Sequence, residues 1–448
     1  MRFDLNKEIL EIMSVIKDYG EEAYVVGGCV RDSIMGREPH DWDICTSAKA
    51  EELLTEFKDR GYKVVPTGLK YGTITVYING NAYEITTFRK DGDYTDGRHP
   101  DKVNFTSDLV CDLERRDFTI NAMAYNPEVG LVDPFNGVAD IKDKTIRCVG
   151  CANERFNEDA LRVLRAIRFA AQLGFNVASD TDFEIHRYKK LENVSIERIT
   201  AEFCKIAVSH NFYNVLFSYK DVFTQFIPEL GDMDFPQNNP YHDYDVFNHT
   251  VYALENCDSD DLLVRLAVLF HDFGKPHSYQ DGEDGIRHFK GHGKVSANIT
   301  ESIMRRLKFD SKTRDAVVEL VYHHDATIEL GKKYVKRWLN KMGEEQLRRL
   351  LTIRKADIKG QKSTYDKARI EKVYALERLI DEVMQEQECF SLKDLAVNGN
   401  DVKEVLHLKA GRNVGYWLNE LLDKVITGEL NNTREDLISW MLGQRAGL

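Results

Sequence analysis

Asp41 and Asp43 sit two positions apart in the run HDWDIC. In a strand, a side-chain period of two places both carboxylates on one face. Acidic residues are depleted in strands, and two on one face repel unless a cation sits between them and a phosphate. A pair of hard carboxylates suits Mg²⁺ when substrate phosphates complete its coordination. Glu84, in the β-rich run AYEITTFR, is the candidate third carboxylate. The plainer alternatives are an exposed turn for the aspartates and an exposed strand residue for Glu84. Upstream, VVGGCVRDSIMG reads as strand, Gly-Gly turn, helix. Gly27 and Gly28 let a ligand approach the backbone closely, and the helix start offers free N–H groups to an anion. Arg31 adds a charge-assisted donor for phosphate. Alone, such a turn can equally be structural.

A second constellation lies downstream. Eight of the 13 histidines fall between His242 and His324. FNHTVYAL supplies His249, and LLVRLAVLFHDFGKP supplies His271 and Asp272 after an apolar helix. GHGKVSA supplies His292, VYHHD supplies His323 and His324, and RKADIKG supplies Asp357. Imidazole and carboxylate ligands suit a divalent metal that polarises phosphate and generates hydroxide. Lys275 is either a phosphate ligand or an exposed charge. Cys148 and Cys151 form a lone CxxC with no second pair nearby, which argues against zinc.

These residues need elements to position them. AYVVGG, DWDIC, KVVP, GTITVYING and AYEITTFR read as strands, with NGNA as a hairpin turn. SAKAEELLTEFKDRG has a Ser start, helical spacing and a Gly stop. Residues from about 22 to 148 therefore read as one α/β or α+β domain. NEDALRVLRAIRFAAQLGF reads as one amphipathic helix with Leu161, Leu164, Ile167 and Phe169 toward a core. The chain after it reads as helical, and no proline follows Pro276.

The 448 residues suggest about three domains at ~150 residues each. Hydrophobic residues are 42% and charged residues 30%, a soluble globular profile with no run of 18 apolar residues. The acid-bearing N-terminal segment argues against a signal peptide, and eight scattered cysteines point to a reducing cytoplasm. A net charge of −13 argues against a protein that coats nucleic acid non-specifically, yet allows a local basic groove.

GGxVRD followed by DxD resembles the nucleotidyltransferase superfamily related to DNA polymerase β. RRDFTINAMA (115–124), LVDPFNGVADIKDKTIR (131–147) and NEDALRVLRAIRFAAQLGF (157–175) resemble the class II tRNA nucleotidyltransferases, which include bacterial poly(A) polymerases. The resemblance covers residues from about 22 to 230. It implies Mg²⁺ at Asp41 and Asp43, with the triphosphate near Gly27, Gly28 and Arg31. It implies nucleotide contacts at Arg116, Asp117, Asn121, Arg165 and Arg168; the alternatives are a structural salt bridge for Asp117 and a solvated helix face for any one arginine. Asp159 and Arg162, at i and i+3, would share a helix face. A carboxylate accepts from the amino group of cytosine or adenine while a guanidinium donates to the ring nitrogen; uracil and guanine reverse that order. The polar run Asp91–Phe105 resembles the flexible loop that CCA-adding enzymes use to switch from C to A, with Arg98 as its functional side chain.

The order His, His-Asp, His, His, Asp resembles the HD metal-dependent phosphohydrolases. Some nucleotidyltransferases carry such a domain, acting on 2′,3′-cyclic or 2′-phosphate ends. The C-terminal residues resemble the tail that grips the tRNA elbow, with Gly411–Gly415 at a helix start. The expected architecture is an α/β (α+β) nucleotidyltransferase head at 1–150, a helical neck at 151–235, an HD-containing helical body at 236–385 and a helical tail at 386–448. The expected activity is addition of CCA to tRNA from CTP and ATP in the cytoplasm, with Mg²⁺ at the head and an unspecified divalent metal at the HD site. No membrane and no protein partner are expected. The alternatives are A-only addition, a poly(A) polymerase, or an HD phosphohydrolase whose head senses nucleotide.

Overall fold

The computed structural model describes residues 2–92, 102–240, 244–361, 366–386 and 390–445. Two compact units divide the chain, 1–228 and 229–448.

The first unit is organised by a seven-stranded mixed sheet. Its first five strands are β1 (Ala23–Val26), β2 (Asp43–Thr46), β3 (Lys63–Gly68), β4 (Thr73–Ile78) and β5 (Asn81–Thr87). The sheet order is β3-β4-β5-β2-β1, continued by Ala124–Asn126 and Gly130–Val132. Within this sheet, among the described residues, only β2 and β5 pair in parallel, and that register sets Asp43 beside Glu84. All four residues of β1 are buried, which explains its unbroken apolar sequence. The β4–β5 turn holds Asn79 at φ 51° and Gly80 at φ 86°, the two positive φ values of a type I′ hairpin. Helix Ala50–Asp59 buries Leu53 and Phe57, one turn apart, against the sheet.

Two expected features change. The strand β2 begins at Asp43, so Asp41 lies ahead of the ladder and the period-two argument does not place it. The helix read over 157–175 is two helices, Ala152–Glu158 and Leu161–Leu173. Asp159 breaks them with an extended backbone, φ −146° and ψ 105°. Leu161, Leu164, Ile167 and Phe169 are all buried as expected, and Gly174 ends the second helix at φ 69°. Beyond it, Phe203, Phe212, Phe223 and Phe226 pack edge-on or tilted at 5.7–6.3 Å.

The second unit is helical apart from a short hairpin, Gln280–Asp281 with Arg287–His288. Helices Val246–Glu255, Leu262–Phe270, His292–Arg306, Ser311–His323, Lys332–Lys359 and Asp366–Gln385 surround the histidines. Gly343, at φ 77°, kinks the longest of them. Gly399–Leu406, Arg412–Thr427 and Arg434–Arg445 follow, around a core that includes Val402, Leu421, Leu437 and Met441. Among the described residues no helix is long and apolar enough to cross a membrane.

Candidate active site and metal centre

In the first unit, Asp43 opens β2 and Glu84 stands beside it on β5. Burial raises the Glu84 carboxyl, and Asp43 and Asp41 raise it further. Burial likewise raises Asp43, with Arg116 pulling it down and Asp41 pushing it up. Three carboxylates that resist each other's charge, with oxygen donors only, fit a hard divalent cation. Oxygens from the three carboxylates do not all lie within 4.8 Å of one another, so substrate phosphates and water would have to complete such a site. Asp41 also lines a polar cavity of about 670 Å³ with His40, Trp42 and Tyr83.

Gly27 follows β1 at φ 84°, and a Cβ there would lie 3.2 Å from Arg116 Nη1. Glycine thus lets Arg116 lie against the turn. Arg31 Nη1 donates to Asn121 Oδ1 at 2.8 Å, while its Nε and Nη2 donate to Asp32 at 2.9 and 3.1 Å. Buried Asp112 receives Arg115 Nη2 at 2.7 Å and Arg116 Nη2 at 3.2 Å. Burial opposes its charge, but the two guanidinium groups keep the carboxyl below the usual range.

Asp117 is 8% exposed and takes Arg165 Nε and Nη2 at 2.8 and 2.5 Å. Against the cost of burial, Arg165 holds its carboxyl down to about 2. Asn121 Nδ2 donates to the same carboxylate at 3.3 Å. Asp159 and Arg162 border one pocket of about 280 Å³ with Arg116, Asp117, Arg165 and Arg198. Asp159 reaches it from the break between the two helices and Arg162 from the second helix, so the shared i,i+3 helix face expected for them does not form. The extended backbone at Asp159 turns its carboxylate to cap Leu161 N at 3.1 Å and to take Arg198 Nη2 at 2.7 Å. Arg162 is held by Glu158 and by the carbonyls of Arg155 and Arg115.

Arg168, expected as a nucleotide contact, is instead turned into a buried ion pair. It is 8% exposed, pairs with Glu202 at 3.2 Å and lies 4.5 Å from the Phe169 ring centroid. Burial lowers its pKa. Arg31 and Arg165 also lie over that ring, at 5.2 and 5.5 Å, so Phe169 is a shared cation–π platform as well as a core residue. Arg98 lies outside the described residues. Cys148 is buried and Cys151 is exposed.

In the second unit, four imidazoles converge on Asp272. Each Nδ1 faces a backbone carbonyl: His249 to Gly360 at 3.1 Å, His271 to Val268 at 2.7 Å, His292 to Phe289 at 2.8 Å and His324 to Val321 at 2.7 Å. Those contacts assign the proton to Nδ1 and turn the Nε2 lone pairs inward. Asp272 Oδ2 lies 3.3 and 3.1 Å from Nε2 of His249 and His271. Oδ1 lies 3.3 and 3.7 Å from Nε2 of His292 and His324. The result is two donor triads sharing one carboxylate. Neither Asp272 oxygen receives a well-directed hydrogen bond, although Lys275 Nζ is 2.7 Å from Oδ2. Within each pair the Nε2 atoms are 3.2 and 3.0 Å apart, which inward lone pairs tolerate only around a cation or proton. Imidazole nitrogens with a carboxylate suit a first-row transition metal. Asp357 adds an oxygen 3.0 Å from His249 Nε2.

His323 does not join this cluster. Its ring meets Trp338 edge-on at 5.2 Å. Consecutive helical residues point about 100° apart, so only one of the two neighbours faces the centre.

A Poly A polymerase head domain matches residues 23–147, and a putative tRNA nucleotidyltransferase domain 2 matches residues 281–441. The CCA-adding enzyme of Ligilactobacillus salivarius is 32% identical over 445 residues, taking in 96% of this chain and 95% of that enzyme. The chain belongs to the CCA-adding enzyme family. The CCA-adding enzyme of Latilactobacillus sakei is 45% identical over 227 residues, an alignment spanning 50% of this chain and 56% of that enzyme. The solved Bacillus stearothermophilus CCA-adding enzyme in complex with CTP matches with a TM-score of 0.75 at 28% identity, covering 98% of both chains. Like that family, the chain has a nucleotidyltransferase head with a mixed sheet, followed by helices.

Sequence reasoning missed Asp112, Arg115, Arg198 and Glu202 in this member of the CCA-adding family. Asp112 was open to discovery, because Arg115 and Arg116 follow at i+3 and i+4 on a helical run. Arg198 carried no local signal: it meets Asp159 across 39 positions of sequence.

Proposed function

We propose that this chain adds C, C and A in turn to the 3′ end of tRNA, consuming CTP and ATP and releasing pyrophosphate. The observation that carries this reading is one unit holding both the Asp43–Glu84 register and the pocket bordered by Asp159 and Arg162. Asp41, Asp43 and Glu84 would hold the divalent cation. Such a cation, when bound, neutralises triphosphate charge and lowers the pKa of the attacking 3′-hydroxyl. The 3′-oxygen bonds to the α-phosphorus and the bond to pyrophosphate breaks. Gly28, Arg31 and the start of helix Gly28–Ile34 receive phosphate oxygens. Asp159 accepts from the amino group shared by cytosine and adenine, and Arg162 donates to the adjacent ring nitrogen. Arg198 orients Asp159, while Glu158 and two carbonyls orient Arg162. Asp117 holds Arg165 at the same pocket. Arg98 remains the proposed side chain of the C-to-A loop.

The test is 3′-end sequencing of a tRNA transcript lacking CCA, and of one ending in CC, after incubation with Mg²⁺, CTP and ATP. Completed CCA ends on both support the reading. Extension of the CC-ended transcript alone indicates A-only addition, and a long A tail indicates a poly(A) polymerase.

A second reading rests on the shared Asp272 carboxylate between two inward-facing histidine pairs. These residues would hold divalent metal for hydrolysis of a phosphate compound, with Lys275 beside Asp272 available to a phosphate oxygen. Metal analysis tests it directly: His271→Ala should lose bound divalent metal that the wild type retains.

A further inference from the structure

Phe169 stands on helix Leu161–Leu173 and is 6% exposed, with its ring meeting Phe118 edge-on at 5.7 Å. Filling the core accounts for that much, and a leucine could do it. A core residue does not, however, require the charges that surround this ring. Three guanidinium carbons lie near its centroid: Arg168 at 4.5 Å, Arg31 at 5.2 Å and Arg165 at 5.5 Å. Arg165 and Arg168 share its helix, whereas Arg31 comes from helix Gly28–Ile34. The three feel one another's charge. Burial lowers the Arg168 pKa, Glu202 opposes that, and Arg165 and Arg31 push it lower again.

Each guanidinium has a carboxylate of its own: Asp32 for Arg31 at 2.9 Å, Asp117 for Arg165, and Glu202 for Arg168 at 3.2 Å. Separate pairs do not by themselves bring like charges together. The negative face of the ring does, because it attracts each cation without using its N–H donors as a carboxylate would. An amide closes the arrangement. Asn121 Oδ1 accepts from Arg31 Nη1 at 2.8 Å, and Asn121 Nδ2 donates to Asp117 Oδ1 at 3.3 Å. Arg165 donates to the other oxygen, Asp117 Oδ2. A circuit therefore runs from Arg31 through Asn121 and Asp117 to Arg165, and back across Phe169. It joins two ends of the site. A Cβ on Gly28 would lie 3.6 Å from Arg31 Nη2, so Arg31 stands against the Gly-Gly turn, while Arg165 borders the pocket of Asp159 and Arg162. Of its five N–H donors, Arg31 uses three on Asn121 and Asp32, which leaves two for phosphate oxygens.

Building on the nucleotidyl-transfer reading of this unit, we propose that Phe169 is a positioning residue for the incoming nucleotide. Its π face holds Arg31 and Arg165 at a fixed separation, so that the triphosphate and the base of one CTP or ATP are engaged together. Phe169 itself touches no reacting atom. Without the π face, repulsion among the three cations is no longer offset, and Arg31 is left to its pair with Asp32.

The test is a fluorination series at Phe169 in the full chain. Phenylalanine carrying one, two or three ring fluorines keeps nearly the same shape while its face loses negative potential. KM and kcat are measured for CTP on a transcript lacking CCA and for ATP on one ending in CC. Inorganic tripolyphosphate, used as an inhibitor, reports the phosphate end alone. From the native ring to the trifluorinated one, KM for both nucleotides should rise about 10-fold. Tripolyphosphate inhibition should weaken in step, and kcat should stay within about 2-fold. Phe169→Leu, which keeps apolar bulk without the π face, should match the trifluorinated protein. In an Arg31→Ala background the dependence of tripolyphosphate inhibition on fluorine number should vanish. A ring that only fills the core gives the same KM across the series, and that result would overturn the proposal. So would a rising KM with unmoved tripolyphosphate inhibition. A wild type that adds neither C nor A defeats the nucleotidyl-transfer reading instead.

Discussion

Asp117→Asn isolates the ion pair that fixes the nucleotide pocket. Asp117 is buried, and Arg165 holds its carboxyl at about 2 against an ordinary 3.8. A carboxyl held that low corresponds to roughly 2–3 kcal/mol of stability at neutral pH. The amide keeps the shape but leaves the half-buried Arg165 guanidinium with a weaker partner. Losing one member of a buried pair typically costs about 3–5 kcal/mol, so about 3 kcal/mol is expected here. In a unit of this size that lowers Tm by roughly 6–12 °C. The sign with pH follows from the depressed value. The stabilisation is complete above the unfolded pKa of 3.8 and is lost as pH falls toward 2. At pH 3 about 1 kcal/mol of it should already be gone, narrowing the gap between wild type and variant. The assay is denaturant unfolding of Asp117→Asn, Arg165→Gln and the double variant at pH 7, 5 and 3. A coupling energy of about 2 kcal/mol at pH 7 is expected, with a KM for CTP and ATP raised about 10-fold as Arg165 loses its anchor. A coupling below about 0.5 kcal/mol, or one that does not shrink at pH 3, would refute the reasoning.

Asp43→Asn should lower nucleotide addition about 10³-fold or more, read by extension of a CCA-less transcript, without changing the metal content of the Asp272 centre. Unreduced addition would mean that the head carboxylates are not catalytic. Asp112→Ala removes the carboxylate shared by Arg115 and Arg116 and should cost about 3 kcal/mol, measured by thermal unfolding. Gly72 has φ +75°, and a Cβ there would lie 2.6 Å from Phe105 Cε1. Gly72→Ala should therefore cost about 1–2 kcal/mol and loosen the antiparallel pairing of Arg89–Asp91 with Val103–Phe105, seen as faster amide exchange there. His271→Ala should abolish phosphate release at the second centre and leave CCA addition within about 2-fold of wild type, since the two readings assign the activities to separate units.

The residue types alone determined much of this chemistry. Paired carboxylates after a Gly-Gly turn, an arginine-rich run and a histidine–aspartate series each call for a particular ligand class, whatever fold presents them. Local pattern also located the β4–β5 turn and the buried face of the helix through Leu161, because turn chemistry and side-chain period are short-range. The break at Asp159 escaped that logic, since a helical pattern of apolar residues does not record one extended residue. The inward choice of His324 over His323 escaped it too: neighbours on a helix differ only in direction, and the packing of the helix against Asp272 selects between them. The arginines show the same division. The resemblance implied nucleotide contacts for Arg165 and Arg168, whereas Asp117 and Glu202 draw them into separate pairs, and Arg198, which no local pattern marked, meets Asp159. Sequence thus determined which groups could bind phosphate, metal and base. Tertiary structure decided which of them meet, because a charge is worth most where burial brings its partner from a distant part of the chain.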